Sequence, residues 1–171
     1  MLVTEAYRKM LEDEHKSKIW GNTGASRAQR ILKHADKIGE TVILDYGSGH
    51  GALKQYIDKN YPMYDVIEYE LGRPECSVPP EPCNYVICTD VLEHVEPECI
   101  EAVLDDLQRV VLKSGLFTIS TTEAFKVLKD GRNAHLIIEP ASWWLEKLEQ
   151  RFVIEFESHN DKNLLVIVTP K

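Results

Sequence analysis

The feature that most constrains this 171-residue chain is a strand, a glycine loop and a helix in immediate succession. Residues 41–44 are apolar or β-branched without a break, which suits a central strand buried on both faces. They run into Asp45-Tyr46-Gly47-Ser48-Gly49-His50-Gly51, and residues 52–60 can form a helix stopped at Tyr61-Pro62. Glycines at alternate positions permit positive φ and remove side chains, so backbone amides at a helix start can approach a ligand closely. Gly47-x-Gly49-x-x-Ala52 also satisfies the dinucleotide pattern, in which a pyrophosphate rests on the helix dipole. Asp45 tips the balance, because a carboxylate just before the glycines repels a pyrophosphate and suits a cationic amine or sulfonium.

The flanking segments extend this unit into an α/β domain. Ala28, Ile31, Leu32, Ala35 and Ile38 recur at helical spacing, and Gly39 follows as a C-terminal cap. Residues 64–69 and 85–89 read as further strands, while residues 71–84, with Pro74, Pro79, Pro80 and Pro82, read as a loop or at most a poor edge strand. Pro97 suits a first helical turn, Ile100, Val103, Leu104, Leu107, Val110 and Val111 trace one apolar face, and Lys113 and Gly115 close that helix. Residues 116–121 form another buried strand, 123–135 a loop containing Asp130-Gly131, and 140–150 a helix with Trp144 and Leu148 on one side. Residues from Phe152 and from Leu164 flank a polar turn and read as a terminal antiparallel hairpin. Strands alternating with helices predict a Rossmann-like, doubly wound, mostly parallel sheet with helices on both faces and that hairpin on its edge. Residues 1–25 form a separate helix and lid segment in this reading, and residues 26–171 the main domain.

In such a sheet the ligand sits beyond the carboxyl ends of the strands, where strand order reverses. Glu70, 19 residues past Gly51, falls at one of these ends, where a carboxylate accepts both hydroxyls of a ribose; Glu68, on the same strand face, is the alternative. A third element, Asp90-Val91-Leu92-Glu93-His94, follows the next strand.

Together these three elements resemble the class I S-adenosylmethionine-dependent methyltransferases, over residues 42–121, and the hairpin agrees with that architecture. Residues 131–144 also look like a subgroup of small bacterial and phage members. The resemblance implies S-adenosylmethionine as cofactor. Asp45, Gly47 and Gly49, within the loop that includes Tyr46, Ser48 and Gly51, would hold the methionine portion, and Glu70 the ribose. The backbone of Asp90, Val91 and Leu92 would lie under the sulfonium, and Leu71 with residues 76–78 would serve adenine. Adenine recognition departs from the family, which has a further strand where this chain has a short proline-rich stretch.

Methyl transfer from a sulfonium needs alignment, exclusion of water and sometimes a proton acceptor. His94 and His135 are the candidates, His94 with the alternative of capping a helix or bonding a backbone carbonyl. Lys126, Lys129 and Arg132 either recognise an anionic acceptor or are a solvated basic loop. Trp20 either folds over the cofactor or packs the terminal helix, and Trp143-Trp144 anchors the core. The acceptor is a small molecule or a local protein site, most readily the former. A non-catalytic cofactor- or partner-binding domain and an NAD-dependent oxidoreductase are the alternatives.

Charge and composition narrow the partners. A net charge of −8 opposes binding to a nucleic acid backbone, although residues 1–40 carry eight bases against six acids. The longest apolar run, Leu164 to Val168, is five residues, so no membrane span or secretory signal is read and a cytoplasmic protein is expected. The four cysteines form no C-x-x-C pair and the six histidines no ligand-spaced set, so reduced thiols and no metal site are expected.

Overall fold

The computed structural model describes residues 1–16 and 24–171. In chain order its elements are α1 (Glu5–Lys16), α2 (Gly24–Ile38), β1 (Val42–Tyr46), α3 (Ala52–Asn60), β2 (Asp65–Tyr69) and β3 (Cys83–Thr89). There follow α4 (Ile100–Val110), β4 (Val111–Ser120), α5 (Ala141–Glu149), β5 (Phe152–His159) and β6 (Asn163–Pro170). Trp20 lies outside the described residues.

One sheet runs β2-β1-β3-β4-β6-β5. Its first four strands are parallel, and β6 joins β4 and β5 antiparallel. The chain leaves β1 for β2 on one side and returns to β3 on the other, so strand order reverses between β1 and β3. That is where the Rossmann-like reading places a ligand.

Alternation along the strands divides the core in two. Ile43, Tyr85, Ile87 and Leu116 face α2 and α3, packing on Ile31, Ala35, Leu53 and Ile57. Leu44, Val86, Cys88 and Phe117 face the other way, onto Leu104 and Leu107 of α4 and Trp144 and Leu148 of α5. The α2 helix ends as its sequence predicts: Gly39 takes φ 71°, its amide donates to Asp36 O, and the Glu40 amide donates to Ala35 O.

Two boundaries differ from the sequence reading. Pro97 lies in a turn before α4, closed by the Cys99 amide donating to Glu96 O at 2.8 Å, and the helix starts at Ile100. At the other end Val111 is already extended and opens β4 with no loop between. Gly115 does not close the helix but sits inside β4, paired with Val86 and Val168. A Cβ there would meet Val168 Cγ2 at 2.7 Å and Phe117 Cζ at 2.8 Å, so glycine is retained for close packing rather than for chain reversal. Residues 70–82 carry only a short 3₁₀ turn, Pro74–Cys76, and β3 begins at Cys83.

The N-terminal helix is tied down at both ends. Thr4 accepts the Tyr7 amide at 3.2 Å, as an N-cap does, while its own amide and hydroxyl donate to the buried Glu96 carboxylate, both at 2.9 Å. Thr4→Ala removes the cap and one charge-assisted bond, so we expect a loss of about 1–2 kcal/mol, read from the urea midpoint. An unchanged midpoint would mean that α1 is not part of the cooperative unit. No helix among the described residues is long and apolar enough to cross a membrane.

Candidate active site

A cavity opens at the carboxyl ends of β1, β2 and β3, and eight of the sequence-predicted residues line it: Tyr46, Gly47, Gly49, Glu70, Leu71, Asp90, Val91 and His94. The glycine loop and the loop after β3 meet closely. Gly47 has φ 86°, and a Cβ there would collide with both methyl groups of Val91. Its amide and that of Ser48 donate to Tyr69 O at 2.8 and 3.0 Å, which locks the loop to the end of β2.

Glu70 is the organising acid. Its Oε2 accepts the Gly49 amide at 3.1 Å and its Oε1 the Gly72 amide at 2.9 Å, with His15 Nε2 3.4 Å away. Burial pushes its carboxyl up, but His15 and the two amides outweigh burial and hold it below the usual carboxylate range. Glu68, the alternative acid, instead pairs with Arg73 at 2.8 Å and fills the space beside Gly51. Gly51 therefore makes room for a carboxylate and a guanidinium rather than for a ligand.

Asp45 is buried at 4% exposure and does not line the cavity. Burial, reinforced by repulsion from Glu68 and Glu70, raises its carboxyl to about 7. Direct contact with a cation is thus not what the geometry offers; Asp45 lies under the loop as a partly protonated acid. Ser48 and Leu92 are likewise buried away from the cavity wall.

Asp90 is the one non-glycine residue with positive φ among the described residues, at 57°. The turn is held because its amide donates to Thr118 O at 2.9 Å, and its carboxylate accepts Thr118 Oγ1 at 3.0 Å and the Arg27 guanidinium. Glu93 sits in the following 3₁₀ turn, fully buried, and accepts the Ser120 amide at 2.8 Å. Burial pushes its carboxyl up to about 8.

His94 borders the cavity, and His135, which does not, packs edge-on against it with centroids 4.8 Å apart. Burial drives His94 down to about 4, so it stays neutral at physiological pH. Its Nδ1–H donates to Ala134 O at 2.7 Å, the backbone-carbonyl bond that the structural alternative for this residue allowed.

The sequence reading put a helix and lid in the N-terminal segment but named none of the residues that roof the cavity. Leu2, Val3, Tyr7, Leu11 and His15 line the same cavity from the N-terminal segment, and the Tyr7 hydroxyl donates to His94 O at 3.0 Å. An i, i+4, i+8 row on one helix face, Tyr7, Leu11 and His15, was the available signal. The basic loop has the same partner: Lys126 pairs with Glu14 at 2.5 Å and Lys129 with Asp13 at 3.7 Å. Arg132 pairs with Asp130 at 2.7 Å, and its Nη1 comes within 3.9 Å of Glu96. These three cations brace α1 and its anchor, which disfavours their service to an anionic acceptor.

A family model described as a methyltransferase domain matches residues 15–161, and the chain belongs to that family. Its fold is shared with solved structures at low identity. The 1,6-didemethyltoxoflavin-N1-methyltransferase of Burkholderia thailandensis, solved with 1,6-didemethyltoxoflavin and S-adenosylhomocysteine, is 16% identical with a TM-score of 0.71, over 100% of this chain and 92% of that one. The N-methyltransferase NodS of Bradyrhizobium japonicum, solved with S-adenosylhomocysteine, is 10% identical with a TM-score of 0.55, over 85% and 86% of the two chains. The mitomycin 7-O-methyltransferase MmcR is 12% identical with a TM-score of 0.68, over 98% of this chain and 61% of that one. A search of curated protein sequences returned no match. Family membership supports the methyltransferase expectation and gives none to the oxidoreductase alternative.

Proposed function

We propose that the chain is an active S-adenosylmethionine-dependent methyltransferase whose acceptor is a small molecule. The observation that carries this is one cavity, at the reversal of strand order, that unites an open glycine loop, a buried ionised acid at the end of β2 and the Asp90–Val91 turn. In this reading the Glu70 carboxylate accepts the ribose hydroxyls, Gly47 and Gly49 let the methionine chain lie against backbone, and Leu71 covers adenine. Asp90 and Val91 hold the floor below the sulfonium. Asp45 acts from beneath the loop, where a cationic ligand draws its proton off.

The methyl carbon leaves sulfur as its bond to the acceptor heteroatom forms, and the acceptor's proton passes to water or a base. A neutral His94 whose conjugate acid forms only near pH 4 is a weak proton sink, so alignment and water exclusion do most of the work. The neighbours named above bear on the acceptor: they are N- and O-methyltransferases, and one is solved with a heteroaromatic compound. The apolar roof from Leu2, Val3, Tyr7 and Leu11 suits such a compound better than a polypeptide. We read the described N-terminal segment, residues 1–16, as part of a lid. For the ribose to reach Glu70, His15 must swing off the carboxylate it now holds, so cofactor entry loosens α1. The four cysteines are free thiols, which fits work in the cytoplasm.

Calorimetric titration is the first test: S-adenosylmethionine and S-adenosylhomocysteine should bind and NAD should not. Labelled methyl transfer into small-molecule extracts then separates an enzyme from a binding domain. NAD binding in place of the sulfonium compound would overturn the assignment, and tight cofactor binding with no labelled product in any extract would overturn the catalytic part.

A further inference from the structure

We propose that Glu93, His94 and His135 form a site for one divalent transition-metal ion in the wall of the cofactor cavity. Separated by 40 residues in the chain, the turn and the loop are brought together by the Ile137 amide donating to Glu93 O at 3.1 Å and by His94 bonding Ala134 O. One donor atom from each of the three side chains then lies within 4.8 Å of the others.

The chemistry of the donors points to a metal rather than to an acid cluster. His94 Nδ1–H donates to Ala134 O at 2.7 Å and His135 Nδ1–H to Thr122 O at 2.5 Å. A carbonyl only accepts, so Nδ1 is the donor in both rings, and the neutral form of each presents its lone pair on Nε2. Imidazoles that ligate metals are oriented in this manner, by a backbone carbonyl on the far nitrogen. Glu93 supplies the second observation. The side chain is 0% exposed, and while one oxygen takes the Ser120 amide, Oε2 has no hydrogen-bond partner among the described residues. A buried oxygen left so is destabilising, and an ion bound to it would remove that penalty.

Two imidazoles and one carboxylate suit zinc, manganese, iron or cobalt better than magnesium or calcium, which prefer all-oxygen shells. Ligands about 2.1 Å from an ion stand roughly 3–3.5 Å apart, so the three side chains must draw inward on loading. Three protein ligands leave a coordination position open. His94 borders the cavity, which brings the ion to its wall, and we assign the open position to a hydroxyl or enol oxygen of the methyl acceptor. This use of the ion rests on the methyltransferase reading; its binding does not.

The test uses the full chain stripped with a chelator and titrated with Zn(II) and Co(II). One equivalent should bind at micromolar or tighter affinity, and Co(II) should show the visible absorption of a four- or five-coordinate nitrogen and oxygen site. Glu93→Gln keeps the side-chain shape and an acceptor for the Ser120 amide, and His135→Ala removes a ligand that does not line the cavity. Each should weaken zinc at least tenfold with S-adenosylhomocysteine affinity within about twofold. A Cys76→Ser, Cys83→Ser double variant should bind zinc as before. In the unsubstituted chain, zinc should shift two histidine side-chain nitrogen signals together, a readout independent of any variant's folding. Absence of uptake at roughly 100 µM metal, unaltered affinity in the Glu93 and His135 variants, or loss in the cysteine variant would each overturn the proposal. Failure of S-adenosylhomocysteine to bind the unsubstituted chain would sink the methyltransferase reading and leave the zinc result standing.

Discussion

Glu70→Ala should abolish measurable S-adenosylhomocysteine binding in a chain that still folds. The carboxylate is only 11% exposed, lines the cavity and accepts amides from both the glycine loop and Gly72. In the proposed complex it also takes the ribose hydroxyls, and a hydrogen bond to a charged group contributes about 1.5–3 kcal/mol. Losing two such bonds costs a factor of at least about 100 in affinity, before counting the slack introduced at Gly49. The core clusters on both sheet faces do not include this residue, so the circular dichroism spectrum and the thermal transition should survive. Glu70→Gln, which keeps an acceptor without the charge, should fall between. Retention of nanomolar or micromolar affinity by a folded Glu70→Ala chain would remove Glu70 from the cofactor site.

Asp45→Asn should stabilise the unliganded protein at pH 8 and leave it nearly unchanged at pH 4. The folded carboxyl titrates near 7 because it is buried and faces the charges of Glu68 and Glu70, whereas an unfolded aspartate titrates near 4. Between those values the native state holds a proton that the unfolded chain has released, so raising the pH favours unfolding, and the full penalty is present above about 7. Asparagine cannot ionise and escapes it. The expected gap is roughly 2–4 kcal/mol at pH 8. Glu93 titrates in the same sense, but in both proteins, so it cancels in the difference. Urea unfolding of the two proteins from pH 4 to 8.5 checks this; stability curves that run parallel would show that Asp45 is not a buried acid under strain. The retained cost is intelligible if a cationic ligand later repays it.

The glycine loop, the acid after β2 and the Asp90 segment were legible because strict local needs leave residue-level traces. Only a residue without a side chain fits at Gly47, and strand ends recur at fixed offsets from the loop. The α4 boundaries were less legible. Val110 and Val111 continue one apolar face, yet the second belongs to a strand, because pairing with Cys83 decides where the helix stops. Gly115 reads as a terminator in sequence and is a packing contact in space, a distinction that exists only once Val168 has been folded against it from 53 residues away.

Periodicity and the glycine spacing by themselves determined the class of fold, the order of the elements and the sheet edge at which the cavity opens, since those depend on neighbours a few residues apart. Which acids border that cavity depended on tertiary structure. Asp45 and Glu70 look equivalent as letters, but one is sealed under the loop and the other stands on the cavity with His15 against it. The roof from α1 and the meeting of Glu93, His94 and His135 were likewise decided only in three dimensions. Contacts between segments 40 or more residues apart are chosen by how whole helices and loops pack, and no local spacing encodes them.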